Sequence, residues 1–194
     1  GDLNGDQISD LIISTPFAQN QRGRVYLILG PHKSNPVPLQ FTNIENLITI
    51  DGTKKYSQVG WNTSFLGDVD GDKFSDFAIS SRLYNKKLSG TLHLIFLDKS
   101  LFDQPICYNI EDIKHNIRHI NGDLNFESDF AYSIVGLEDI NGDAKDDFAV
   151  LERKVHETTK SDVHIYHGSS WIQWESYKPE TTIKMNYDIG DMGR

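Results

Sequence analysis

A nine-residue stretch occurs three times in this chain and limits its fold more than any other feature. The copies are Asp2-Leu3-Asn4-Gly5-Asp6-Gln7-Ile8-Ser9-Asp10, Asp68-Val69-Asp70-Gly71-Asp72-Lys73-Phe74-Ser75-Asp76 and Asp139-Ile140-Asn141-Gly142-Asp143-Ala144-Lys145-Asp146-Asp147. Each has oxygen-bearing side chains at positions 1, 3, 5 and 9, with Gly at position 4. Each runs directly into a short apolar segment: Leu11-Ile12-Ile13, Phe77-Ala78-Ile79 or Phe148-Ala149-Val150. Short Asp and Asn side chains on alternate residues converge on one point if the backbone curls. Gly permits that curl because it reaches positive φ without a steric penalty. Carboxylates gathered this closely repel one another unless a cation sits among them.

Calcium takes six to eight oxygens in irregular geometry, and the pattern predicts about three such sites. The side-chain ligands are Asp2, Asn4, Asp6 and Asp10 in the first, Asp68, Asp70, Asp72 and Asp76 in the second, and Asp139, Asn141, Asp143 and Asp147 in the third. The backbone carbonyls of Ile8, Phe74 and Lys145, at position 7, supply a further ligand each, a role that needs no particular side chain. An EF-hand requires Gly at position 6 and Glu at position 12. Here those positions hold Gln7, Lys73 or Ala144, and Ile13, Ile79 or Val150. Dockerin-like loops also want an acid at position 12. Thrombospondin-type repeats need regular cysteines, and Cys107 stands alone. The similar stretch Asn121-Gly122-Asp123-Leu124-Asn125 lacks the later ligands and reads as a turn.

The repeat extends beyond the loops. Val59-Gly60-Trp61 and Phe130-Ala131-Tyr132 open strands that lead into the second and third loops at equal spacing. After each loop's apolar strand comes an alternating strand: Val25/Leu27/Leu29, Leu92/Leu94/Phe96 and Val163/Ile165 share a face by the two-residue period. Weaker strands follow at 47–50, 117–120 and 182–185. Four short strands per repeated unit indicate an all-β propeller blade. The 194 residues form a single segment of about three four-stranded blades, with repeat cores at about 1–50, 57–120 and 128–185. Asp191-Met192-Gly193-Arg194 resembles Gln58-Val59-Gly60-Trp61, so a further repeat begins at 191–194. A propeller needs roughly four to eight blades to close. The expectation is a partial β-propeller, an arc of a larger one whose remaining blades are its first partners.

Charge supports the same division. The formal net charge is −9, and the predicted side-chain ligands include ten Asp. Setting those aside leaves about +1, so the acidity belongs to the loops. No basic run suggests nucleic-acid binding, and no apolar run suggests direct membrane insertion in this segment. Cys107 has no partner for an internal disulfide and is expected to be a small core or loop residue. His93 and His164 share a repeat position with Tyr26, which favours a structural or surface role for both. Trp61 is expected in the core, and the sequon Asn62-Thr63-Ser64 on an unmodified inner strand. No catalytic constellation stands out.

These residues resemble the FG-GAP repeat family, which builds the seven-bladed head of integrin α subunits. The match lies in Gly-Asp-Leu-Asn-Gly-Asp (1–6), Gly-Asp-Val-Asp-Gly-Asp (67–72) and Gly23-Arg24-Val25-Tyr26. The family's Phe-Gly pair stands here as Val59-Gly60, Phe130-Ala131 and Met192-Gly193, and its Gly-Ala-Pro as Ser14-Thr15-Pro16, Ser80-Ser81-Arg82 and Leu151-Glu152-Arg153. The resemblance implies a fragment of a seven-bladed propeller and a non-catalytic, calcium-stabilised module that binds a protein or another extracellular, cell-surface ligand in adhesion. The same repeats occur in a glycosylphosphatidylinositol-specific phospholipase D and in bacterial and protist surface proteins. An accessory domain of a secreted enzyme and an architectural subunit of a large assembly therefore remain alternatives.

Overall fold

The computed structural model describes residues 1–30, 47–82, 89–97, 107–113, 116–122, 128–154, 160–169 and 179–186. The strands are, in chain order, β1 (Leu11–Thr15), β2 (Arg24–Ile28), β3 (Leu47–Asp51), β4 (Thr63–Gly67), β5 (Asp76–Ser81), β6 (Thr91–Ile95), β7 (Cys107–Asn109), β8 (Ile117–Asn121), β9 (Ser128–Glu138), β10 (Asp147–Lys154), β11 (Lys160–Tyr166) and β12 (Thr181–Asn186). They make three four-stranded sheets, β1-β2-β3-β7, β4-β5-β6-β8 and β9-β10-β11-β12. The fold is all-β, and the sheets are the blades of a partial propeller. The one helical turn among the described residues, Ala18–Gln21, contains left-handed Gln19 and Asn20 and is a connection between β1 and β2. No helix among those residues is long and apolar enough to cross a membrane.

The alternating strands bury opposite faces in opposite directions. Val25, Leu27 and Leu29 of the first blade meet Phe77, Ile79 and Ile95 of the second in one apolar cluster. Leu92, Leu94 and Phe96, on the second blade's other face, meet Phe148, Val150 and Tyr166 of the third. The core therefore lies in the gaps between blades, and β5 and β6 are buried along their whole length because a blade covers each face. Phe148 and Tyr166 stack with ring centroids 5.0 Å apart.

Backbones touch where one blade meets the next. The Val59 amide donates to the Arg22 carbonyl at 3.0 Å, and the Phe130 amide to the Ser89 carbonyl at 3.3 Å. This approach requires glycine at position 90: a Cβ there would lie 2.1 Å from the Phe130 oxygen, and φ is +64°. Asn62 adds a further tie, its Oδ1 accepting the Ile134 amide at 3.1 Å from the neighbouring blade.

Two expectations need correction. The first sheet takes its fourth strand from elsewhere: β7 leaves the connection between β6 and β8 and pairs parallel with the outer edge of β3, Thr49 opposite Cys107 and Asp51 opposite Asn109. Among the described residues no strand leads into the first loop. β7 covers a β3 edge that would otherwise be open, and it puts Cys107 on an exposed added strand with its Sγ 3.9 Å from Asp51 Oδ2. Trp61 is not a core residue. It is half-buried at the rim, with the Arg82 guanidinium 4.4 Å above its ring and Phe17 at its edge. Trp171 and Trp174, which the sequence leaves undecided between a recognition surface and core packing, lie outside the described residues, as do the Asp123-Leu124-Asn125 part of the turn and the repeat start at 191–194.

Candidate metal centre

The three acidic loops stand at the entrances of β1, β5 and β10, and one hydrogen-bond scheme recurs in all of them. The position 1 carboxylate turns inward and accepts the amides of positions 4 and 6: Gly5 (2.8 Å) and Gln7 (2.8 Å) at Asp2, Gly71 (2.7 Å) and Lys73 (2.9 Å) at Asp68, Gly142 (2.6 Å) and Ala144 (2.9 Å) at Asp139. The side chain at position 3 accepts the amide of position 5, at 3.1 Å for Asn4, 3.1 Å for Asp70 and 2.8 Å for Asn141. Asp6, Asp72 and Asp143 accept the amides of Ile8, Phe74 and Lys145. The chain thus folds around its own carboxylates.

The position 9 residues Asp10, Asp76 and Asp147 are buried and do a second job. One oxygen accepts the amide of position 2 and the other accepts an amide just beyond the blade's next strand: Gly30 at 2.8 Å, Leu97 at 3.0 Å and Gly168 at 2.7 Å. Each ninth residue therefore fastens its loop to β2, β6 or β11. Leu3 and Val69, at position 2, plug fully buried into the gaps between blades, whereas Ile140 is 54% exposed.

Positions 4 and 6 are both left-handed in every loop, at φ 74° and 67° for Gly5 and Gln7, 87° and 77° for Gly71 and Lys73, and 83° and 67° for Gly142 and Ala144. The need at position 6 is not legible from sequence, since Gln, Lys and Ala give no sign of it.

The second loop has four carboxylates among its predicted ligands, against three in each of the others. Ligand oxygens of Asp68, Asp70 and Asp76 all lie within 4.8 Å of one another. That is about twice a calcium–oxygen bond, the span of two oxygens on one ion. Burial, with the charges of Asp70 and Asp72 behind it, pushes Asp76 up to about 8. Burial and then Asp72 push Asp70 up to about 6. Asp139 is lowered instead, chiefly by the Ala144 and Gly142 amides. A divalent cation would offset the negative charge gathered in the second loop, and its donors, hard carboxylate and carbonyl oxygens, suit calcium or magnesium. The second loop's residues fit the ion.

Away from the loops, sequence reasoning found the repeat position of the histidines but not their partners. Tyr26, His93 and His164 sit opposite Ile13, Ile79 and Val150 in equivalent registers. His93 is fully buried, with Nε2 2.5 Å from Ser81 Oγ and Nδ1 2.7 Å from His119 Nδ1, and burial pushes it well below the usual histidine range. Ser81 and His93 are both fully buried. His164 instead meets buried Glu152 at 2.9 Å, beside Lys154 and Asp162. The Lys154 ammonium bridges both carboxylates.

Comparison with known proteins agrees with this architecture. No family model matches the chain. Integrin alpha-PS2 of Drosophila melanogaster is 26% identical over 171 residues, 87% of this chain and 11% of that protein. Human integrin alpha-IIb is 32% identical over 110 residues, 51% of the chain and 10% of its own length. Integrin alpha-5 of Xenopus laevis is 33% identical over 89 residues, 41% of the chain and 8% of its own length. The chain is a relative of the integrin α, FG-GAP-repeat family. It spans about a tenth of the length of these relatives.

At the opposite ends of β5 and β10, this integrin α-like chain carries a second repeated feature. Arg82 lies over Trp61 and Arg153 over Tyr132, each 4.4 Å from the ring centroid. Buried Asp129 pairs with both arginines. The acidic loops and the arginine–aromatic pairs therefore mark opposite rims of the arc.

Proposed function

We propose that the chain is a non-catalytic, calcium-stabilised propeller segment of a cell-surface or secreted protein, serving adhesion or ligand binding. The observation that supports it best is the recurrence of one loop geometry, with four oxygen-bearing side chains, at the head of three successive blades. Asp2, Asn4, Asp6 and Asp10, Asp68, Asp70, Asp72 and Asp76, and Asp139, Asn141, Asp143 and Asp147 hold one ion each, with the carbonyls of Ile8, Phe74 and Lys145. Calcium does no chemistry in this reading. It neutralises the carboxylates and rigidifies the turns into β1, β5 and β10, and so fixes the opposite rim for a partner. Sites of moderate affinity fill at extracellular calcium levels, which accords with the integrin α relatives and with an extracellular location.

The remaining blades of the propeller are the nearest partners. The third blade's outer face presents half-buried Leu151, Val163 and Ile165 and exposed Ile183, a surface suited to another blade. Thermal melting with calcium and with a chelator tests the reading. A higher midpoint with calcium is expected, by about 2.7 kcal/mol of stability per site at a hundredfold excess over Kd. Equal midpoints overturn it. Asp72→Ala is expected to lower the calcium stoichiometry by one.

A further inference from the structure

The second and third loops are joined to each other by a residue that is no ligand. Asp146 occupies position 8 of the third loop, between Lys145 and Asp147. Its Oδ2 accepts the Asp68 amide at 2.7 Å, and its own amide donates to the Asp68 carbonyl at 2.8 Å. Asp68 is position 1 of the second loop, whose carboxylate organises that loop's amides. Gly67, just before it, has φ +84°, and a Cβ there would lie 2.0 Å from Asp146 Oδ2, so the contact is close-packed. Two further contacts follow the same seam. The Ser169 amide donates to the Val69 carbonyl at 2.8 Å, and Gly168, next to it, donates to Asp147.

Among the described residues the first loop shows no such joint. Ser75, the counterpart of Asp146, makes no hydrogen bond to Asp2 among the described residues. Contact there is apolar: a Cβ on Gly5 would lie 3.6 Å from the Phe74 ring.

We infer that Asp146 couples the second and third loops, so that filling either site favours filling the other while the first site fills independently. The inference rests on the calcium reading of the loops. Asp146 is a positioning residue: an ion that fixes Asp68 fixes the backbone to which Asp146 is bonded on both sides, and thereby the flanking Lys145 carbonyl and Asp147 carboxylate. The coupling is reciprocal by thermodynamic necessity.

The test is a calcium titration of the whole chain followed by NMR. The Gly5, Gly71 and Gly142 amides, each donated to its own loop's first aspartate, report the three sites separately. Asp72→Ala disables the second site and is expected to weaken binding at the third by about fivefold or more, leaving the first unchanged. Asp143→Ala must weaken the second site by the same factor. In an Asp146→Ala background the effect of Asp72→Ala on the third site should vanish. Asp146→Asn, which keeps an acceptor oxygen, should retain it and guards against simple misfolding. Calcium uptake at three sites with the third indifferent to Asp72→Ala overturns the coupling alone. No uptake at any site overturns the coupling and the calcium reading together.

Discussion

The Asp147 carboxylate accepts the Gly168 amide at 2.7 Å, joining residues 21 apart in sequence. Its other oxygen accepts Ile140 at 2.9 Å. The ninth residue of the loop therefore holds the blade together independently of any ion. Asp147→Ala should cost about 2–3 kcal/mol in chelator, from one buried and one part-buried bond to the same carboxyl group. Asp143→Ala, at an exposed position, should cost little under the same conditions. Urea unfolding of both variants in chelator measures the difference, and equal losses would place the ninth residue's role in metal binding alone.

Ala144 is held at φ 67° although it is not glycine. A left-handed alanine costs roughly 1–2 kcal/mol, and glycine returns about half of that in unfolded-chain entropy. Ala144→Gly should stabilise the chain by about 0.5–1 kcal/mol, raising Tm by about 1–4 °C. A lower midpoint by calorimetry would contradict the conformational argument.

Gly90 faces the reverse constraint. Alanine there would place a Cβ 2.1 Å from the Phe130 carbonyl oxygen, which belongs to the next blade and has no room to retreat. Gly90→Ala should destabilise by about 3 kcal/mol or more, from overpacking and left-handed strain together. Denaturant midpoints of the variant and the parent provide the check.

Glu152 gives the chain an acid-sensitive joint. Burial raises it, but hydrogen bonds from His164, Ser128 and Lys154 outweigh burial and hold it at about 2, against an ordinary 4.5. In that interval the unfolded chain binds the proton and the folded chain does not. Glu152 therefore contributes stability that is complete above pH 4.5 and is lost as pH falls toward 2. Glu152→Gln should flatten this part of the stability profile, measured as Tm against pH in chelator. An unchanged slope would remove Glu152 from the acid response.

Much of the molecule was legible in its residues. Aspartate on alternate positions with Gly71 between them specifies a curled loop wherever it occurs, and Leu92-His93-Leu94 specifies a strand with two unlike faces, because both depend on neighbours in sequence. The equivalence of His93 and His164 followed from the repeat alone. Their partners, Ser81 with His119 and Glu152 with Thr182, did not, since hydrogen bonds across strands depend on register.

The amino-acid sequence by itself determined the all-β class, the blade repeat and the residues of the acidic loops, since local spacing and side-chain period suffice for these. Only the tertiary structure decided that β7 closes the edge of another blade, that Trp61 lies under Arg82 at the rim, and that Asp146 grips Asp68. Each of these joins segments tens of residues apart, and such contacts exist only once the blades have packed and excluded water from the gaps between them.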